Sequence, residues 1–285
     1  MFIDSHAHLF SKDYEGDLRE VIDRASVAGV ELIVNPGTDL ETSREAVELA
    51  EQFEGVYACV GFHPHEARRA DASSLEEIEK LSHHEKVVAI GEIGLDYHYD
   101  YSPRERQREV FRIQIDIACR RNLPIVIHSR EAEEDTVSIV EEKLGEPLTP
   151  DGGLSGSGGN RGFPGGVFHC FPGDVAMARR VIGWGFYISI PGPVTFGTRQ
   201  NKPNVMAEVA ATIPLEHILL ETDSPYLSPV PLRGRRNEPA NIPIIAQRIA
   251  ELKALPVEEI GRVTSTGARK LFGIGSKSDT KRRIS

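Results

Sequence analysis

The chain has 285 residues, of which 40% are hydrophobic and 27% are charged, and its formal net charge at pH 7 is −10. This length suits an α/β barrel with a full core, and no apolar run approaches the ~18 residues that a membrane-spanning helix needs. The negative charge argues against a protein that coats duplex nucleic acid non-specifically, because that affinity comes mainly from cationic side chains.

Strand and helix patterns alternate along most of the chain, beginning with an apolar strand in Met1–Leu9. Further strands are predicted at Val30–Val34, Val56–Gly61, Val87–Glu92, Pro124–His128, Val167–Cys170, Phe186–Ile190 and Ile218–Thr222. Helices are predicted near Tyr14–Ala28, Thr42–Phe53, Leu75–His83, Arg104–Arg121, Thr136–Leu144, Val175–Gly183, Asn204–Ala211, Ile242–Leu252 and Val257–Phe272. The short apolar strands are typical of a parallel sheet that is buried on both faces.

Eight strand-then-helix units predict a single (β/α)₈ TIM-barrel domain over residues 1–272, with an additional C-terminal helix packed outside. A doubly wound open sheet is the structural alternative, but no glycine-rich phosphate loop follows the first strand. Residues 146–166 contain eight glycines and three prolines, so we expect a flexible insertion there. We expect the polar tail 273–285 to be disordered.

Side chains that bind metals follow several predicted strands, at the end where TIM barrels place their active sites. His6 and His8 are two apart and therefore point the same way in an extended strand. An isolated His-x-His is often only two polar residues in a loop, so the other strand ends decide the interpretation. They carry His63, His65, Glu92, His128, His169 and Asp223.

The number of these donors favours two divalent ions over one. Taken singly, His128 or His169 is more often a buried structural histidine, and Glu92 could form an ordinary salt bridge. Six of these nitrogen and oxygen donors on one rim, however, already exceed the three protein ligands of a usual catalytic zinc site. We predict two divalent ions, Zn²⁺, Mg²⁺ or Mn²⁺, with Glu92 as the natural bridge because a carboxylate can place one oxygen on each ion.

Six motifs accompany these strand ends. They are His6-x-His8, Gly91-Glu92-Ile93-Gly94-Leu95-Asp96-Tyr97, His128-Ser129-Arg130, His169-Cys170-Phe171, Glu221-Thr222-Asp223-Ser224-Pro225-Tyr226 and Arg233-Gly234-x-x-Asn237-x-Pro239. Together they resemble the TatD family of metal-dependent deoxyribonucleases, within the amidohydrolase-like barrel superfamily, over about residues 1–272. The resemblance implies that His6, His8 and Asp223 bind one metal, that His128 and His169 bind the other, and that Glu92 binds both.

A two-ion site suits phosphodiester hydrolysis, because the ions activate water and stabilise the attacking and leaving oxygens. We expect Asp223 to carry the proton from the attacking water to the leaving alkoxide. Arg233 lies in the loop after the eighth strand, where barrels often bind phosphate, although a solvated charged loop is an equally good interpretation. His63, His65 and Asp96 are predicted to contact substrate or to orient the metal ligands.

Three functions remain open at this point. The first is a 3'-5' exodeoxyribonuclease that acts on ends of single-stranded DNA. The second is a hydrolase of esters or amides on the same site, such as a D-aminoacyl-tRNA deacylase, and the third is a catalytically silent barrel that binds a partner. The sequence has no recognisable signal peptide and its three cysteines lack a C-x-x-C spacing, so we predict a cytoplasmic protein without an obligate protein partner.

Overall fold

The computed structural model describes residues 1–10, 12–145, 163, 165–197 and 204–275. Eight parallel strands form one sheet in chain order. The strands are β1 (Phe2–Asp4), β2 (Val30–Pro36), β3 (Val56–Val60), β4 (Val87–Asp96), β5 (Ile125–Arg130), β6 (Gly166–Phe168), β7 (Tyr187–Ile190) and β8 (Ile218–Leu220). They are apolar because helices cover the outside of the sheet while its inside forms a core; every residue of β4, for example, is buried.

Helices follow the strands in turn. They are α1 (Leu18–Val27), α2 (Leu40–Gln52), α3 (Ala72–Leu81), α4 (Arg104–Arg121), α5 (Glu133–Leu144), α6 (Val175–Gly183), α7 (Val205–Thr212), α8 (Ile242–Lys253) and α9 (Val257–Phe272). Local sequence fixes several of their starts: the carboxylates of Asp39 and Asp71 form capping boxes with Thr42 and Ser74 at the first turns of α2 and α3.

The sheet closes on itself where the end of β1 meets the segment after β8. The amide of Ser5 donates to the carbonyl of Leu220 (2.9 Å), that of Asp223 to His6 (2.9 Å), and that of His8 to Ser224 (2.8 Å). The eight strands therefore form a nearly closed (β/α)₈ barrel, which confirms the predicted fold.

The additional helix is also confirmed, and it belongs to the core. Helix α9 packs against β1 and β8. Its residues Ala268, Leu271 and Phe272 share one buried cluster with Ile3 and Leu219 of those strands. The helix therefore covers the place where the barrel closes.

Two element boundaries differ from the sequence prediction. Strand β4 continues past Glu92 to Asp96, because its pairing with β5 shifts register between Ile90 and Ile93 and then resumes. Gly94 permits this, since a Cβ there would lie 2.0 Å from the carbonyl oxygen of His128. Helix α1 begins at Leu18 rather than at residue 14, because a 3₁₀ turn buries Tyr14 and its hydroxyl donates to the carbonyl of Asn237 (2.6 Å).

The boundaries proposed for the insertion and the tail also change. Within the predicted insertion 146–166, Gly166 belongs to β6 and Phe163 is buried, whereas residues 146–162 and 164 lie outside the described residues. Ile274, which was assigned to the tail, is buried in the α9 cluster, and residues 276–285 lie outside the described part. None of the described helices is both long enough and apolar enough to cross a membrane.

Candidate metal centre

The end of β1 presents two imidazoles to the middle of the barrel mouth. The Nε2 atoms of His6 and His8 lie 3.3 Å apart, as their shared direction in an extended segment requires. The buried carboxylate of Asp4 holds this turn in place by accepting from the amide of His6 (3.2 Å) and from the hydroxyl of Thr222 (2.6 Å). The same contacts tie β1 to the segment after β8.

Glu92 faces two sets of donors, one with each carboxylate oxygen. Its side chain is 3% exposed, and its Oε2 lies 3.3 Å from Nε2 of His6 and 3.7 Å from Nε2 of His8. Its Oε1 lies 2.8 Å from Nδ1 of His128 and 2.9 Å from Nε2 of His169. The two oxygens therefore belong to different clusters of potential ligands.

Asp223 completes the cluster around Oε2 of Glu92. Its Oδ1 lies 3.6 Å from Nε2 of His8 and 3.9 Å from Nε2 of His6. The residue adopts a positive φ of 53°, and its amide donates to the carbonyl of His6. We call Oε2 of Glu92 with His6, His8 and Asp223 the first donor group.

The second donor group consists of Oε1 of Glu92 with His128, His169 and His63. Nδ1 of His128 lies 3.2 Å from Nε2 of His169, and Nε2 of His63 lies 3.4 Å from Oε1 of Glu92. The sequence assigned His63 to substrate binding or to the orientation of ligands. Its ring nitrogen instead lies among the candidate ligands.

These spacings fit metal ions. Nitrogen and oxygen ligands about 2.1 Å from a tetrahedral ion lie roughly 3.4 Å from one another, and the four atoms of the first group are separated by distances from 3.3 to 3.9 Å where measured. Two imidazole nitrogens that face each other this closely need a proton or a cation between them. Among the described residues, three sets are each compact enough to hold one ion, and the first two lie within the two donor groups: His6–His8–Glu92, His63–Glu92–His128 and His6–His169–Glu221.

Asp96 supports the second donor group from behind. Its Oδ2 lies 3.1 Å from Nε2 of His128 and 2.9 Å from Nε2 of His65, and its Oδ1 accepts from the amides of His98 and Tyr99. The carboxylate is fully buried, so its contacts support the predicted orienting role and leave it no free oxygen for substrate. A carboxylate behind a metal-binding histidine fixes both its ring orientation and its tautomer.

Glu221 is a buried carboxylate that the sequence reasoning left without a role. Its Oε1 accepts from the amide of Cys170 (2.5 Å), its Oε2 accepts from the hydroxyl of Ser189, and Oε2 lies 3.7 Å from Nδ1 of His169. The sequence did contain an indication of this position, since Glu221 precedes Asp223 by two residues at the end of a buried strand. An alternating acidic pair there predicts that both carboxylates turn toward the barrel interior.

Contacts among the residues of the metal centre, together with their burial, determine which of these side chains are charged. Burial raises the pKa of Glu92, but the neighbouring His169, His63 and His6 outweigh it and hold that pKa well below its ordinary value. Burial lowers the pKa of His169, but Glu92 and Glu221 outweigh it and raise that pKa well above its ordinary value. Burial lowers the pKa of His6. Glu92 is therefore an anion, the form in which a carboxylate binds a cation.

The predicted phosphate-binding loop follows β8 and is exposed. Arg233 lies with its guanidinium carbon 4.6 Å from the ring centroid of Phe196. Arg236 is already paired, since it donates to both carboxylate oxygens of Asp17. The contact of Arg233 is with Phe196 and not with a member of either donor group, so its role in substrate binding stays a prediction.

The whole chain matches known proteins. The family model described as TatD related DNase matches residues 3–273. The uncharacterized metal-dependent hydrolase YabD of Bacillus subtilis (strain 168) is 45% identical over 274 residues, which are 96% of this chain and 100% of that protein. The 3'-5' ssDNA/RNA exonuclease TatD of Shigella flexneri serotype 5b (strain 8401) is 34% identical over 275 residues, which are 95% of this chain and 98% of that protein.

A solved structure gives the same result for the fold. The crystal structure of YJJV, a TatD homolog from Escherichia coli k12, matches with a TM-score of 0.83 at 29% identity and covers 96% of this chain and 98% of that one. Both the family model and the relatives span the strand ends that carry the two donor groups. The chain therefore belongs to the family of TatD related DNases and is a metal-dependent hydrolase.

Proposed function

We propose that this protein is a two-metal exonuclease that removes nucleotides from the 3' ends of single-stranded DNA. The main observation behind the proposal is that the two carboxylate oxygens of Glu92 face separate donor groups. A pair of ions bridged in this way suits the in-line displacement of a phosphodiester, in which an oxygen enters on one side of phosphorus and another leaves on the opposite side. The name of the Shigella relative, an ssDNA/RNA exonuclease, supports the same substrate class.

In this proposal the first donor group binds one divalent ion and the second binds the other. When bound, the ions would supply Lewis acidity toward water and toward the phosphate oxygens. Contacts within the protein position these ligands, because Asp4 accepts from the amide of His6 and Asp96 contacts the ring of His128. Such preorganised ligands need little rearrangement when the substrate arrives.

Asp223 is the residue that we propose as proton carrier. Burial raises its pKa, but the hydrogen bond with His8 and the charges of nearby histidines outweigh it and lower that pKa. The side chain is therefore ionised at neutral pH, and it is 14% exposed, compared with 3% for Glu92. While Oδ1 faces His8, Oδ2 can accept a proton from water and return it to the leaving alkoxide.

A comparison of substrates tests the proposal. The chain is freed of metal, reloaded with Mg²⁺, Mn²⁺ or Zn²⁺, and given linear and circular single-stranded DNA, RNA, blunt duplex DNA and D-aminoacyl-tRNA. We expect linear single strands to be shortened from the 3' end, circles to persist, and duplexes to react slowly. Equal rates on circles and linear strands would exclude an exonuclease, and a preference for the aminoacyl ester would assign a deacylase function instead.

A further inference from the structure

The exposed aromatic rings of this protein are concentrated at one place. Among the phenylalanine, tyrosine and tryptophan residues that the structure describes, Tyr226, Tyr101 and Tyr99 are the exposed ones, with 58%, 56% and 39% of their surface accessible. Each has a ring contact with a histidine at the barrel mouth. Large apolar groups that cluster on a surface often mark a binding site, so we expect these three rings to contact a ligand.

Two of these tyrosines form a parallel stack beside the second donor group. The rings of Tyr99 and Tyr101, which we call the tyrosine pair, are 5.3 Å apart between centroids and inclined by 2°. The edge of His65 contacts Tyr101 at 4.9 Å between centroids. His65 and His128 share the Oδ2 atom of Asp96, so the pair is connected to the centre by a short chain of contacts.

The loop that carries the tyrosine pair is held at both ends. The amide of Tyr99 donates to Oδ1 of Asp96 (3.0 Å), and the hydroxyl of Ser102 donates to the carbonyl of His65 (2.7 Å). The side-chain amide of Gln107 donates to the carbonyl of Ser102 (2.9 Å). A ring on such a fixed loop loses little conformational entropy when a ligand stacks on it.

Tyr226 lies beside the first donor group. Its ring centroid is 6.3 Å from that of His8, and its amide donates to the carbonyl of Asp223. Its carbonyl accepts from the side-chain amide of Asn237 (2.6 Å), which fixes this loop as well. Each donor group thus has an exposed, anchored tyrosine next to it.

We propose that the tyrosine pair and Tyr226 stack on the two nucleobases that flank the phosphodiester linkage at the centre. The inference rests on the proposed function and adds to it the part of the substrate that is recognised. Every base offers a π-face, so stacking of this kind binds a single strand without reading its sequence. In a duplex those faces are covered by neighbouring bases, which would explain a preference for unpaired ends.

A positive charge accompanies the tyrosine pair. Arg130, at the end of β5, lies with its guanidinium carbon 4.9 Å from the ring centroid of Tyr99. It is exposed, so it can reach a phosphate of the nucleotide whose base stacks on the pair. A base and a phosphate would then each have a partner, which distinguishes this surface from a purely apolar one.

Oligonucleotides that lack single bases test the inference directly. The two linkages at the 3' end are made as methylphosphonates, so that divalent metal can stay in the assay without cleavage, and binding is followed by fluorescence anisotropy. In the wild-type protein, an abasic residue at the first or second position from the 3' end should weaken binding by about ten-fold, within the range known for base–aromatic stacking. Tyr101→Ala should abolish the penalty at one position, and Tyr226→Ala should abolish it at the other.

Two controls separate stacking from other effects. Tyr101→Phe keeps the ring and should bind like wild type, and Leu255→Ala removes a side chain that is 40% exposed away from the tyrosines and should also bind like wild type. If the wild-type protein digests single strands but is indifferent to abasic residues, the inference is wrong while the proposed function stands. Penalties that persist in both alanine variants also overturn it, and a protein that neither binds nor cleaves single strands overturns both.

Discussion

The two donor groups are held in place by different parts of the molecule. In the first group, main-chain hydrogen bonds that close the barrel position His6, His8 and Asp223, and the carboxylate of Asp4 adds a hydrogen bond from the amide of His6. Within the described residues, Nδ1 of His6 is buried without a hydrogen-bond partner. No carboxylate within the described residues is therefore hydrogen-bonded to that nitrogen.

In the second group, a carboxylate contacts a ligand ring directly. Oε2 of Glu221 lies 3.7 Å from Nδ1 of His169, which has no hydrogen-bond partner among the described residues, but Oδ2 of Asp96 lies within hydrogen-bond distance of Nε2 of His128, at 3.1 Å. Carboxylates in this position make imidazoles stronger ligands and fix their orientation. From this contrast we expect that binding of an ion by the first group would depend on the integrity of the barrel, whereas binding by the second could be weakened by a single side-chain replacement that leaves the fold intact.

The bridging residue should give the largest effect because it belongs to both groups. We expect Glu92→Gln to lose both ions and to reduce hydrolysis by more than the ~100-fold that is typical of residues behind the ligands. Metal content after dialysis, measured together with a thermal melt, tests this. Glu51→Gln, at an exposed carboxylate paired with His84, is the matched control. A folded Glu92→Gln protein that retains two ions would show that the carboxylate does not bridge.

A ligand of one group should affect one ion. We expect His128→Ala to reduce the metal content from two ions to one, with the remaining ion on the first donor group, and to stop most turnover. Titration calorimetry with the same metal gives the stoichiometry. His83→Ala, at an exposed histidine at the end of α3, should leave two ions. If His128→Ala still binds two ions, the second group has been assigned incorrectly.

Supporting residues should have a smaller effect that is confined to the second group. Asp96→Asn keeps an oxygen for the amides of His98 and Tyr99 but replaces the carboxylate oxygen behind His128. The second ion should bind about 10- to 100-fold more weakly, while the affinity of the first stays unchanged. Asp116→Asn, which loses only a pairing with Lys143, is the control. Equal weakening of both ions would contradict the division into two groups.

Much of this arrangement could be predicted from the sequence, because strand order in a barrel decides which strand ends meet. The pattern of eight strand-then-helix units predicted the fold and brought His6, His8, Glu92, His128, His169 and Asp223 to one rim, where the structure has them. The spacing of residues in the sequence could not show which carboxylate oxygen of Glu92 faces which donor group. The orientation of that carboxylate depends on the register shift in β4 and on the side-chain directions that the shift sets.

The roles that the sequence could not show are those that depend on contacts between strands distant in sequence. Glu221, after β8, meets His169, after β6, because β7 alone separates these two strands in the barrel. His63 was predicted to contact substrate or to orient ligands, and the structure adds that its Nε2 lies 3.4 Å from Oε1 of Glu92. The contacts of Asp96 support its predicted orienting role, but the length of β4 that places it there could not be judged from the sequence, because it depends on the close approach of Gly94 to β5. Close packing of this kind is not visible in a linear pattern.

The smallest expected effect is that of Arg233→Ala, which lies outside both donor groups and tests how the substrate reaches them. The protein carries a net charge of −10, so a polyanion is repelled except where local cations reverse the field. Arg233 is exposed in the loop after β8, and its loss should raise KM several-fold with little change in kcat. Each phosphate contact on a single strand contributes about 0.7 to the slope of log affinity against log salt, so that slope should become shallower by roughly this amount.

Arg236→Ala is the informative control, because Arg236 is already neutralised by Asp17 and its replacement should leave the slope unchanged. KM measured at several salt concentrations decides the matter: if both variants have the same slope as the wild type, the phosphates are bound elsewhere, and Arg130 beside the tyrosine pair becomes the next residue to replace.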